Sequence, residues 1–327
     1  MTQFSNYLTE EVIEDYSDGM ITRREALRRL GMLGVAVAVA TPLLAACDAA
    51  ATNAVTTISA SASTAGSTTS DPATSPAGST SATDSAGSTP AGSTPAGPPP
   101  LATEAITFDG SGAYRVQGAW SAAVQPRGAV LVVHENRGLT DHIRSVAGRL
   151  AASGYSALAV DLLSEEGGTA SFKDEAEVTA ALNNAPDTRF VADMKAAVDE
   201  LGRRVPAAKI GAVGFCFGGG MVWSLLASGE PRLAAAAPFY GPLPDGANFA
   251  GSPNAAVIAM YGEQDERVNA SRDAADAALT KAGLTHQMVT FPNAGHAFFN
   301  DTGQRYSPTA AASAYQQLMD WFGTHLG

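Results

Sequence analysis

The chain has 327 residues, with 32 acidic and 20 basic side chains and a formal net charge of −12. It lacks the basic footprint that a phosphate backbone demands, so nucleic-acid binding is disfavoured. Its two cysteines, Cys47 and Cys216, are too few for a disulfide scaffold. No interior apolar run reaches the roughly 20 residues of a membrane span, so a multi-span membrane protein is excluded as well.

Residues 1–21 are polar and acidic, and Thr22-Arg23-Arg24-Glu25-Ala26-Leu27-Arg28-Arg29 then sets four arginines before the apolar run 30–46. This order reads as a signal peptide over residues 1–47, against the competing reading of an uncleaved membrane helix. The arginine pair resembles a twin-arginine export signal, which is read by a receptor. Leu44-Ala45-Ala46-Cys47 resembles a bacterial lipobox, in which the cysteine is diacylated and becomes the first mature residue. The resemblance implies export machinery as a partner, a lipid anchor at Cys47 and a location on the outer face of a bacterial membrane. Residues 48–100 collapse to Ala, Ser, Thr, Gly and Pro, a composition that cannot bury enough apolar surface to offset its ordering entropy. They read as a linker.

Residues 101–327 alternate strand and helix signals and are expected to form one domain. Ile106–Phe108 and Tyr114–Trp120 flank Asp109-Gly110-Ser111-Gly112, a hairpin signal. The continuous apolar run Ala129–Val133 predicts a strand buried on both faces. Helical spacing predicts helices over 141–153, 189–201, 218–227, 271–282 and 309–323, interleaved with strands at 157–160, 210–215, 233–240, 256–261 and 286–291. This alternation argues for an α/β fold with a mostly parallel central sheet covered by helices on both faces. Ligand sites in such sheets lie at the carboxyl ends of the strands.

Three such ends carry reactive groups. Gly214-Phe215-Cys216-Phe217-Gly218 follows one strand and leads straight into an apolar helix. A nucleophile on that sharp turn has a strained backbone, and flanking glycines remove the Cβ atoms that would clash. The helix N-terminus would stabilise both thiolate and oxyanion. Asp265 follows the strand 256–261, in a loop shared with Glu263 and Glu266, and His296 sits in the loop before the last helix. The order nucleophile, acid, histidine belongs to the α/β-hydrolase fold, with Cys216 as nucleophile, His296 as base and Asp265 as its orienting acid. His134-Glu135-Asn136-Arg137-Gly138 lies where an oxyanion loop belongs, and the N–H groups of Asn136 and Phe217 are the expected donors. A zinc reading of His134-Glu135 fails because Gly138 stands where the second histidine would be. Neither a metal nor a cofactor is implied.

These features, spread over residues 101–327, resemble the dienelactone hydrolase family of α/β-hydrolases. The resemblance implies hydrolysis of an ester or lactone through a Cys-His-Asp triad and an acyl-enzyme, with Glu135 contacting the resting thiol. It also implies arginines that grip a substrate carboxylate. None follows the strand 157–160, which leaves His134, Arg137 and Arg305 as candidate substrate contacts. Two other readings stand beside this one: a general carboxylesterase, and a non-catalytic surface binding module on the same fold.

Overall fold

A run of fully buried strands organises the molecule. The computed structural model describes residues 3–36, 38–45 and 95–327; Cys47 and the linker stretch 48–94 lie outside the described residues. The strands are β1 (Glu104–Asp109), β2 (Arg115–Ser121), β3 (Gly128–Val133), β4 (Tyr155–Asp161), β5 (Ile210–Phe215), β6 (Leu233–Phe239), β7 (Ala256–Gly262) and β8 (His286–Phe291). They form one sheet in the order β1-β2-β4-β3-β5-β6-β7-β8. The expected hairpin is β1–β2, paired antiparallel with Phe108 opposite Val116. β2 pairs antiparallel with β4, and every later pairing is parallel. Every residue of β3, β4, β5 and β7 is buried, as two-sided helical cover requires.

The helices of this body are α3 (Asp141–Ala152), α4 (Glu175–Asn184), α5 (Asp187–Arg204), α6 (Phe217–Ala227), the single turn α7 (Glu266–Asn269), α8 (Arg272–Ala282) and α9 (Pro308–His325). The amphipathic ones match the sequence expectation to within a few residues. α4 was not expected. Its buried positions, among them Ala176, Val178, Thr179, Ala180 and Leu182, do not form one helical stripe, so periodicity is silent. Asp174 nevertheless caps it by accepting from the N–H groups of Ala176 and Glu177.

From β3 the chain moves to β4 on one side and later returns to β5 on the other. The carboxyl ends of β3 and β5 therefore flank the point where the winding direction reverses, and a crevice opens there. The loop 134–138 and Cys216 follow these two strands.

The N-terminal residues carried no expectation of structure, yet they contribute α1 (Gln3–Ser17) and α2 (Arg23–Met32). Thr22 caps α2 by accepting from the N–H of Glu25. Leu8 and Val12 of α1, and Ala26 and Leu30 of α2, are buried, and both helices pack on α4. The two helices lie across the crevice. Among the described residues no helix is long and apolar enough to cross a membrane.

Candidate active site

Cys216 sits between β5 and α6 with φ 56° and ψ −120°, a conformation that only surrounding structure can impose on a residue with a Cβ. The neighbouring glycines explain how the bend fits. A Cβ on Gly214 would stand 2.1 Å from the carbonyl oxygen of Gly218, and one on Gly218 would stand 2.4 Å from the carbonyl oxygens of both Val133 and His134. The bend is thus pressed against the end of β3. The backbone N–H of Cys216 donates to the Phe239 carbonyl on β6 (3.1 Å), which fixes the residue from the other side.

His296 and Asp265 come to this sulfur from the ends of β8 and β7. The Nδ1–H of His296 donates to Oδ2 of Asp265 at 2.7 Å, and both side chains are about 1% exposed. Asp265 also caps α7, accepting from the N–H of Val268. Residues 298–301 anchor the histidine loop to the body. Phe298 and Phe299 are buried among Phe239 and Tyr240, and Asp301 bonds His142 Nδ1 (2.7 Å) and Arg149 (3.1 Å) on α3. Burial alone would depress the His296 imidazole, but the adjacent Asp265 carboxylate carries it well above its ordinary value.

The sulfur is enclosed by α1 as well. The Tyr7 hydroxyl lies 3.2 Å from Cys216 Sγ and 3.3 Å from His296 Nε2. The thiol donates to the Glu11 carboxylate, at 3.3 and 3.4 Å from its two oxygens. A Glu11 oxygen, Sγ and a His296 ring nitrogen all lie within 4.8 Å of one another. Burial, and then the Glu11 charge, push the thiol up to about 11, against the pull of His296. The same burial and the charges of Cys216 and Glu11 push the Tyr7 phenol well above its usual range, so its proton is kept.

Two expectations about the loop after β3 are corrected. His134, a candidate substrate contact, is fully buried. Its Nε2 accepts from the N–H of Leu162, and its Nδ1 faces the Glu135 carbonyl at 2.7 Å, so the neutral ring is a strut between the ends of β3 and β4. Burial holds its pKa below the usual value. Glu135, expected on the resting thiol, instead accepts from Asn300 Nδ2 (2.6 Å) and the Tyr240 hydroxyl (3.5 Å). The carboxylate on the sulfur comes from Glu11, a residue for which the sequence raised no expectation. A signal for it exists: Tyr7, Glu11, Glu14, Asp15 and Asp18 fall at spacings of three and four, one helical face with no positive charge.

Cys216 opens on a cavity of about 210 Å³, also lined by Glu135, Asn136, Arg137 and Arg305 of the body and by Glu11 and Asp15 of α1. Of the expected oxyanion donors, Asn136 lines the cavity and Phe217 opens α6 directly after the bend. Arg137 pairs with Glu175 (3.3 Å). Arg305 pairs with Asp15 (3.0 Å) and Asp18 (2.7 Å).

The sequence profile of the dienelactone hydrolase family matches residues 114–326. A Salmonella typhimurium protein named as a carboxymethylenebutenolidase is 34% identical over 215 residues, which cover 61% of this chain and 77% of that protein. A Methylorubrum extorquens protein of the same name is 32% identical over 223 residues, or 64% of this chain and 75% of that one. Among solved structures, one from Klebsiella pneumoniae described as a dienelactone hydrolase superposes with a TM-score of 0.60 at 27% identity, over 68% of this chain and 98% of that one.

Proposed function

With the chain a member of the dienelactone hydrolase family and a hydrolase of ester or lactone bonds, we propose that it works through a Cys216-His296-Asp265 triad and a thioester intermediate. The observation that carries this reading is the buried 2.7 Å bond from His296 to Asp265, with the ring's other nitrogen facing a cysteine held at positive φ.

In this mechanism the thiol proton passes to Nε2 of His296 as Sγ attacks the substrate carbonyl carbon. Asp265 fixes the tautomer that leaves Nε2 free to accept and stabilises the imidazolium that forms. The developing oxyanion is held by the N–H groups of Asn136 and Phe217, aided by the N-terminus of α6. Collapse expels the alkoxide, which takes the proton from His296 and leaves an acyl group on sulfur. Water then gives a proton to Nε2, attacks the thioester, and releases the carboxylic acid and the thiol. Arg137 and Arg305, both lining the cavity, would hold an acidic group on the substrate. The signal peptide and the anchor at Cys47 rest on the sequence pattern of residues 22–47; cell fractionation with mass analysis of the Cys47 peptide tests both.

Turnover of a panel of lactones and aryl esters by the chain and by Cys216→Ala tests the triad. Replacement of the sulfur is expected to lower kcat by about 10³-fold or more; equal turnover by the two proteins would overturn the mechanism.

A further inference from the structure

Contact positions on the Cys216 sulfur, beside the cavity, are already taken by α1. A reacting carbonyl carbon must come to about 3–3.5 Å from the nucleophile, and that shell holds the Tyr7 hydroxyl at 3.2 Å and both Glu11 oxygens at 3.3 and 3.4 Å. Tyr7 also occupies Nε2 of His296, the atom that must receive the thiol proton. Substrate and α1 cannot be bound together.

The contacts around this plug are those of a specific seat. Arg267 bonds Glu14 through two nitrogens (3.1 and 3.0 Å) and stacks over the Tyr7 ring, 4.3 Å from its centroid. Arg305 takes Asp15 and Asp18. Thus one face of α1 answers the arginines of the active-site rim, and its acids occupy the places where an acidic substrate would pair. α2 clamps the segment from behind: Arg29 reaches Asp15 and Glu175, and Arg28 reaches Asp174 at the N-cap of α4.

We propose that residues 3–33 are a self-blocking segment, in which Tyr7 and Glu11 of α1 sit on the catalytic sulfur as a substrate stand-in, with Glu14, Asp15 and the following Asp18 on the rim arginines, and keep the enzyme latent until the segment is removed. This rests on the hydrolase mechanism above for the role of Cys216. The segment lies wholly before Cys47, so the cleavage that the export reading requires would also unmask the site. The thiol held at about 11 fits a resting state protected from oxidation. Because the segment is tethered, it acts at a high effective concentration, and cutting the tether makes the block dilutable.

The test uses the full chain with a protease site inserted in the stretch 48–94, cut and then diluted to nanomolar concentration, beside the uncut protein. A second protein, Glu14→Lys/Asp15→Lys/Asp18→Lys, reverses the charges facing Arg267 and Arg305 without touching a group on the sulfur. Two rates are followed: alkylation of Cys216 by iodoacetamide, mapped apart from Cys47 by peptide mass, and hydrolysis of a neutral aryl ester. Cutting and dilution are expected to speed alkylation at least tenfold, with ester turnover rising in parallel, and charge reversal is expected to do the same without cutting. Alkylation that stays within twofold after cutting and dilution overturns the proposal, and it does so even if the substituted protein fails to fold, since the cut pieces keep their native residues around the site. Faster alkylation without ester cleavage leaves the block standing and defeats the hydrolase mechanism. Uncut protein that already cleaves esters as fast as cut protein defeats the block and leaves the mechanism standing.

Discussion

The hydrolase body and the N-terminal helical pair meet at the same sulfur but are held by different forces. The body fixes Cys216 through close-packed backbone, where glycines at 214 and 218 let β5, α6 and the end of β3 approach within distances that no side chain would tolerate. The helical pair reaches Cys216 with phenol and carboxylate, and beside the buried Leu8, Val12, Ala26 and Leu30 its seat on the active-site rim is ionic: Arg267 to Glu14 and Arg305 to Asp15 and Asp18. Packing of the first kind is intolerant of change and insensitive to salt. Pairing of the second kind is reversible and screened by ions. The proposed catalytic centre rests on the first kind of support, and the proposed cover on the second.

The largest expected effect tests the rigid side. Asp265→Asn keeps the shape of the side chain but loses the charge that orients and stabilises the His296 imidazolium, and kcat on an aryl ester should fall by about 10³-fold or more. The measurement belongs in the charge-reversed chain, where the proposed cover would be released; a loss below tenfold would show that the histidine is oriented by something else. Gly218→Ala comes next. Its Cβ would meet two carbonyl oxygens at 2.4 Å, a clash that should cost roughly 3 kcal/mol and lower Tm by roughly 6–12 °C in a domain of this size. An unshifted melting curve would mean that the bend has more room than this geometry allows.

The ionic side predicts smaller changes. Burial, and then Glu11, hold the thiol at about 11, so the neutral form dominates below that value and alkylation should rise about tenfold per pH unit on the way up. Glu11→Gln removes the like charge while keeping the volume. The profile should move toward lower pH, raising the rate at pH 8 by about tenfold for each unit by which the pKa falls. A profile that does not move would show that burial alone sets the thiol. The smallest effect is that of salt. Raising ionic strength from 0.05 to 0.5 M shortens the screening length from above to well below about 10 Å and should speed Cys216 alkylation in the native chain severalfold. The charge-reversed chain should show no such increase, which separates screening of the cover from a general effect of salt on the thiol.

The strands and amphipathic helices of the body were legible because each lies in one periodic environment. β3 reads as an unbroken apolar run because both its faces are covered, and α5 reads at helical spacing because only one of its faces is. The proposed triad rests on a related reason: an α/β sheet brings the ends of its parallel strands to one edge, so chain order and position after a strand single out Cys216, Asp265 and His296, which the fold places together. The role of His134 is not legible in the sequence, because a histidine beside a carboxylate at a strand end looks the same whether it faces substrate or braces two strands. Only the Leu162 N–H on its Nε2 decides.

By itself, then, the sequence determined the α/β architecture, the family and the three residues at the strand ends, since these follow from local periodicity and from the order of elements along the chain. Tertiary structure alone decided which carboxylate stands on the sulfur. Glu135 follows β3, whose end meets the Cys216 bend, yet it turns to Asn300 and Tyr240, while Glu11 comes from a helix 205 residues away in sequence. A contact of that separation depends on how one helical face complements a rim of arginines that exists only once the body has folded; the spacing of α1 marks an acidic face but not the surface it meets.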